Sequence, residues 1–171
     1  MAITISGSGT ITGISAGGLP SGTVTSATLA SGVGGKVLQV VESSSNTTVT
    51  TSSGSNEELD LLTVSITPSS TSNKVLIFVT FVGQANQNTN SKAWIRLYRG
   101  TSSGTKILDL KQGSSDGGGT DSLTMTGSRL DSPSTTSAQT YTMTLARLSS
   151  GTNTVSSDGN TYYLQAVEVA A

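Results

Sequence analysis

From Lys36 onward the chain repeats one kind of segment, a run of six to nine residues rich in Val, Ile, Leu, Thr and Tyr, closed off by Gly, Ser, Asn, Asp or Pro. Runs of this kind read as strands, and closures of this kind as turns. Eight are present: KVLQVVE from Lys36, LDLLTVSIT from Leu59, KVLIFVTFV from Lys74, AWIRLYR from Ala93, KILDLK from Lys106, SLTMTGSRL from Ser122, TYTMTLARL from Thr140 and TYYLQAVEV from Thr161. The spacing predicts an all-β fold, a sandwich of about eight strands over residues 36–171. Ser55 and Glu58 have the spacing of a helix capping box, but the β-branched Thr63, Val64 and Ile66 that follow favour a strand from Leu59.

One run breaks the expected pattern. A strand covered on one side alternates apolar and polar residues. Here Val75, Ile77, Val79 and Phe81 fall on one face and Leu76, Phe78 and Val82 on the other, with Thr80 the one polar residue between them. Both faces are therefore expected to be buried, the second against neighbouring copies of the chain or under a loop of the same chain. Only 11% of the residues are charged, against roughly 25% in ordinary soluble domains. That low charge removes a usual protection of sheet edges and also points to an assembly.

Before Lys36 the texture differs. Residues 1–35 hold isolated apolar side chains, among them Ile3, Ile5, Ile11 and Ile14, in a background of Gly, Ser and Thr. That is too little apolar surface for one chain to offset the entropy of ordering itself. The expectation is an extended anchor or stalk over 1–35, made by copies wrapping together, with a reach on the order of 110 Å if fully extended.

Composition then removes whole classes of chemistry. Ser, Thr and Gly occupy 78 of 171 positions, which suits strands and turns. No His and no Cys is present, so histidine triads, Cys or His zinc sites, disulfides and thiol chemistry are excluded. The nine basic residues are scattered, with no patch for a phosphate backbone, so no nucleic-acid partner is expected. The start of the chain has no signal-peptide pattern, and Val75–Val82 is far too short to span a bilayer, so the expectation is a protein made in the cytoplasm, with no membrane insertion. The ten acidic residues select no catalytic pair. Gly7, Gly9 and Gly13 miss the dinucleotide spacing, and Gly117, Gly118 and Gly119 beside Asp116 and Asp121 lack the acidic alternation of a calcium loop. Neither an enzyme, a cofactor nor a metal is expected.

Two features remain for contact with other molecules. Trp94, Arg96 and Tyr98 share one strand face, opposite Ala93, Ile95 and Leu97; a sugar could stack there, but packing in the core or at a subunit interface is the favoured reading for Trp94. The amide-rich stretch Asn86, Gln87, Asn88 and Asn90 is the better candidate for a loop that meets something outside, with a solvated hairpin tip as its bland alternative.

The segment GISAGGLPSGTVTSATLASG resembles the Gly-Leu-Pro segment of tail-fibre and appendage proteins of tailed bacteriophages, especially those of marine bacteria and cyanobacteria. KVLQVVE, SITPSSTSNKVLIFVTFVG, WIRLYRG, LDSPSTTSAQTYTMTLA and YYLQAVEVA resemble the globular domain that follows it. The resemblance implies a homotrimeric virion fibre: an N-terminal part that docks to other virion proteins or forms a stalk, then a jelly-roll knob similar to trimeric tumour-necrosis-factor-like domains. The chain is shorter than full tail fibres, which leaves open whether it sits on tail, baseplate or capsid. On this reading the threefold interface is expected at Leu76, Phe78, Val82, Tyr163 and Val167. Host contact, with a cell-surface glycan as the candidate ligand, is expected through Asn86 to Asn90 and Ser114 to Thr120, including Asp116. The rivals are a capsid decoration or cement fibre without a receptor and, further off, a small glycan-degrading knob.

Overall fold

The computed structural model describes residues 36–51, 58–87, 92–113, 119–147 and 155–171. The chain divides into two units, Met1–Gly35 and Lys36–Ala171, and the described residues all belong to the second. The stalk expected of 1–35 therefore lies outside the described residues.

Ten strands form among the described residues: β1 (Val37–Ser45), β2 (Thr50–Thr51), β3 (Glu58–Ile66), β4 (Lys74–Gln87), β5 (Lys92–Arg99), β6 (Thr105–Gly113), β7 (Gly119–Asp131), β8 (Gln139–Arg147), β9 (Val155–Ser156) and β10 (Tyr162–Val169). There is no helix among the described residues. The long strands build two antiparallel sheets, β1-β10-β4-β7 and β3-β8-β5-β6. The short β9 and β2 continue the first sheet beside β4, past the point where β10 stops pairing with it. Along the chain the long strands cross between the sheets in a mirror-symmetric sequence, β6 following β5 within one sheet, which is the strand order of a jelly roll.

All eight predicted strands are present. The capping-box spacing at Ser55 and Glu58 starts no helix; Glu58 instead opens β3. Two strands reach beyond their apolar runs. β4 continues past Val82 to Gln87, and β7 starts at Gly119, because the two keep pairing residue by residue to Gln87 opposite Gly119. Asn86, Gln87 and Thr120, expected in loops, are consequently strand residues.

The inner faces meet in one core. β4 contributes Val75, Ile77, Val79 and Phe81, β10 contributes Tyr162, Leu164 and Ala166, and β7 contributes Leu123 and Met125. Facing them are Leu62, Val64 and Ile66 of β3, Ala93, Ile95 and Leu97 of β5, and Tyr141, Met143 and Leu145 of β8. Each fully buried large side chain of this kind stabilises by ~1.5–3 kcal/mol. Two glycines allow close approaches. A Cβ at Gly127 of β7 would stand 2.9 Å from Leu110 Cδ2 and 3.3 Å from Leu108 Cδ2, so its absence lets the β6 leucines close the seam between the sheets. A Cβ at Gly83 would overlap the Ser156 carbonyl oxygen and the Phe81 ring, so its absence lets β9 run alongside β4.

Polar latches tie the layers. The Tyr141 hydroxyl of β8 donates to Asp131 Oδ2 of β7 at 2.8 Å, joining the two sheets, and Arg99 Nε lies 3.5 Å from the same oxygen. Burial and the Asp131 carboxylate both push the Tyr141 hydroxyl well above the usual phenol range. Glu168 of β10, 2% exposed, accepts from Ser69 N at 2.6 Å, Ser69 Oγ at 2.8 Å and Asn73 Nδ2 at 2.6 Å, which pins the β3–β4 turn. Burial alone would raise its pKa, but the hydrogen bonds from Asn73 and Ser69 prevail and hold it below the usual carboxylate value.

Candidate functional site: an exposed apolar sheet face

The two outer faces of the sandwich differ in kind. On the β1-β10-β4-β7 sheet, register sets Val40 beside Val167, Val167 beside Leu76 and Leu76 beside Leu130, an apolar row with one residue from each strand. The next rows hold Glu42, Gln165, Phe78 and Ser128, then Ser44, Tyr163, Thr80 and Thr126. A bulge at the start of β1, where Val37 pairs with Val169 and Gln39 with Glu168, adds both Val37 and Leu38 to the surface. Val40 is 58% exposed, Val37 57%, Leu130 53%, Leu38 48%, Phe78 40% and Tyr163 39%, and every exposed large hydrophobic residue recorded for the described chain lies on this sheet. An open depression of about 270 Å³ lies beside Phe78, between it and Thr126 and Ser128.

Of the residues expected at a subunit interface, Leu76, Phe78, Tyr163 and Val167 come together on this face, and no described loop roofs it. Val82 lies on the same face farther along, opposite Thr124 and away from the apolar row. The second apolar face of β4 is thus uncovered within the described chain.

The outer face of the β3-β8-β5-β6 sheet is polar, and Glu58, Arg96, Lys106 and Asp109 pair with one another on it. Arg96 Nη1 lies 2.9 Å from Glu58 Oε2 and Arg96 Nε 3.3 Å from Asp109 Oδ1, while Lys106 Nζ donates to Asp109 Oδ2 at 2.9 Å. The Tyr98 hydroxyl donates to Glu58 Oε2 at 3.2 Å and Thr144 Oγ1 to Glu58 Oε1 at 2.5 Å. Burial, then the Glu58 carboxylate, push the Tyr98 hydroxyl above the usual phenol value. The Trp94 ring carries the Arg96 guanidinium 4.2 Å from its centroid and Lys111 Nζ at 5.4 Å, and its Nε1 is buried with no acceptor among the described residues. Trp94 thus lies on an outer sheet face under two cations and is not part of the buried core.

The two ends of the sandwich also differ. At one end stand Lys36, the 67–73, 100–104 and 132–138 turns and Ala171, whose backbone oxygen accepts from Lys36 Nζ at 2.9 Å. At the opposite end, Gln87 faces Gly119 and Lys92 faces Gly113, so the 88–91 and 114–118 connections leave from neighbouring positions. Asn86 and Gln87 occupy the last two positions of β4 there. Asn88, Asn90 and Asp116, expected to contact a ligand, lie outside the described residues.

No trio of acidic residues that could hold a metal ion occurs among the described residues, and no described helix is long and apolar enough to cross a membrane. A second open depression, of about 350 Å³, runs along the seam of β6 and β7 beside Leu110, Lys111 and Thr124.

No family model and no curated protein matches the chain. Among solved structures it is similar to that of the infectious bursal disease virus Gt strain, at 11% identity and a TM-score of 0.45 over 78% of this chain and 38% of that one. It is also similar to the infectious bursal disease virus VP2 subviral particle, at 13% identity and a TM-score of 0.43 over 78% of this chain and 37% of that one. The chain thus spans less than two fifths of the length of these viral chains. Likeness at this level carries no assignment, and the fold rests on the chain's own strand order and register.

Proposed function

We propose that the chain is the structural subunit of a virion appendage of the bacteriophage-fibre type, held through residues 1–35 and carrying residues 36–171 as a homotrimeric knob that meets the host surface. The observation that carries this reading is which residues stand at the two ends of the sandwich. Lys36, where the second unit begins, stands at one end, and Asn86, Gln87, Gly119 and Thr120 stand at the other. A knob held at one end offers the other to a partner. The resemblance of GISAGGLPSGTVTSATLASG and of the strand segments to phage appendages supports the same reading.

The mechanism is multivalency. Several weak contacts on one particle raise overall affinity by about 10²–10⁴ without a strong single site. Amides of Asn86, Gln87, Asn88 and Asn90 donate and accept, as glycan hydroxyls require. The protein on this reading is made in the host cytoplasm, ends in the virion, contacts other virion proteins through 1–35, and performs no catalysis.

Two measurements test the proposal. Antibody raised against the full chain is expected to label an appendage on virions by electron microscopy, and purified full-length protein is expected to compete with virions for adsorption. A Gln87→Ala, Asn88→Ala, Asn90→Ala triple variant is expected to lose that competition at least tenfold with an unchanged melting temperature. Unlabelled virions would refute the appendage reading, and full competition by the triple variant would remove the amide segment from the contact.

A further inference from the structure

We infer that the free edge of β7, over residues 122–128, takes up an extended acidic segment of another protein as an added strand, seated over the seam where β7 faces β6. The inference goes beyond the appendage reading and does not rest on it.

The edge itself is the first observation. β7 pairs with β4 along all 13 of its residues without a register shift, and no described strand pairs with its other side. β6, across the seam, is likewise the last strand of its sheet. A long regular edge presents a row of unpaired N–H and C=O groups, a template for another strand unless charges or bulges blunt it. β6 is blunted, since it carries Lys106, Asp109 and Lys111 and pairs with β5 across a register shift. β7 holds no charged residue between Asp121 and Arg129.

The second is the lining of the seam. Leu123 and Met125 of β7 are buried in the core, while Leu108 and Leu110 of β6 pack against it only partly buried. The open depression of about 350 Å³ lies here, where Leu110 and Met125 meet Gln112, Thr124 and Thr126. A strand added in the pleat of β7, about 4.8 Å farther out, sends every second side chain inward over these apolar groups. Recognition of this kind takes its affinity from main-chain hydrogen bonds and its specificity from alternate side chains. No aromatic ring lines the depression, so a sugar has nothing there to stack on.

The third is charge. Lys36, Lys74, Arg96, Arg99 and Lys106 each have an ion pair or a hydrogen bond within the described chain. Lys111 and Arg129 have neither among the described residues; Lys111 touches the Trp94 ring, and Arg129, on the same side of β7 as Met125, is exposed at the edge. Two cations left unpaired, one on each strand of the seam, complement an acidic partner. The chain itself does not supply the acid. Residues 1–35 contain no Asp or Glu. The edge strands of a second copy bring no spare carboxylate, because Asp109 is held by Arg96 and Lys106, Asp131 by Tyr141, and Asp121 is engaged as well. The occupant is therefore a segment of another protein, apolar at alternate positions and acidic toward its ends.

Fluorescence anisotropy of a labelled peptide, Glu-Val-Thr-Val-Thr-Val-Glu, with the full chain, read together with hydrogen exchange by mass spectrometry, tests this. The peptide is expected to bind and to slow exchange across residues 119–131. Its counterpart with Lys at both ends is expected to bind at least tenfold more weakly, and the acidic peptide N-methylated throughout is expected not to bind. In the Lys111→Glu, Arg129→Glu double variant, changed at two exposed positions, the preference is expected to reverse with melting unchanged. No binding of either peptide at millimolar concentration would overturn the inference, as would protection elsewhere or an acidic preference that survives the double variant. Binding of trigalacturonate in place of the peptide would give the seam to an acidic glycan. Exchange over 119–131 that slows with protein concentration alone would give it to a second copy, and either result overturns the inference.

Discussion

At the scale of single residues, Glu168 is the clearest case of a group whose charge state the fold has chosen. Its folded pKa lies below the unfolded value, so its contribution is fully present above the unfolded carboxylate pKa of about 4.3 and is lost as pH falls through the lower folded value. Glu168→Gln is expected to cost about 1–2 kcal/mol at pH 7 and to flatten the fall in stability below pH 5. Denaturant unfolding across pH 3–7 measures both; an unchanged acid limb would mean the Ser69 and Asn73 hydrogen bonds do not favour the ionised form. The glycines give a ranked prediction. Gly83→Ala sets a methyl against the Ser156 backbone, which cannot give way without moving β9, whereas Gly127→Ala meets the movable ends of Leu110 and Leu108. Gly83→Ala is therefore expected to destabilise by about 2–3 kcal/mol and Gly127→Ala by less than about 1.5, as thermal melts of the two variants would report.

At the scale of elements, one carboxylate on β3 adds side-chain ties across its sheet to the backbone pairing with β8. Glu58 accepts from Arg96, Tyr98 and Thr144, which lie on β5 and β8. Glu58→Ala is expected to cost about 2 kcal/mol and to shift the emission of Trp94, the single tryptophan, because Arg96 over its ring loses an anchor. Unchanged fluorescence together with unchanged stability would mean the cluster is idle. The eight long strands were legible because their runs are rich in β-branched and other apolar residues and are closed by Gly, Ser, Asn, Asp or Pro, even where, as in Val75–Val82, the alternation fails. The two-residue β2 and β9 were not legible, since two residues carry no period. Nor was the extension of β4 through Gly83 to Gln87, which is fixed by backbone pairing with β7 and β9 rather than by side-chain pattern. The shared face of Trp94 and Arg96 followed from the alternation of β5, but Lys111 over the same ring and Glu58 as a hub did not, because they depend on register between strands.

At the scale of the whole molecule, the two-sided apolar pattern of Val75–Val82 was the signal in the sequence that pointed past the single chain. The structure buries one side of that run in the core and leaves the other uncovered by any described residue, with Phe78 40% exposed. The sequence pattern could name Leu76, Phe78, Tyr163 and Val167, but it missed Val37, Val40 and Leu130 because these lie on edge strands, where apolar residues look like ordinary half-buried positions until register aligns them with β4 and β10. The tip follows the same logic: Gln87 and Gly119 are 32 positions apart in the chain and opposite each other in the sheet.

The most direct test of the central claim, that the apolar face is covered by copies of the chain itself, is the absolute mass of the purified full-length protein by light scattering on a sizing column. The account predicts three times 17.2 kDa for the wild type, falling toward 17.2 kDa in Leu130→Glu. A wild-type mass of 17.2 kDa at every concentration would contradict it.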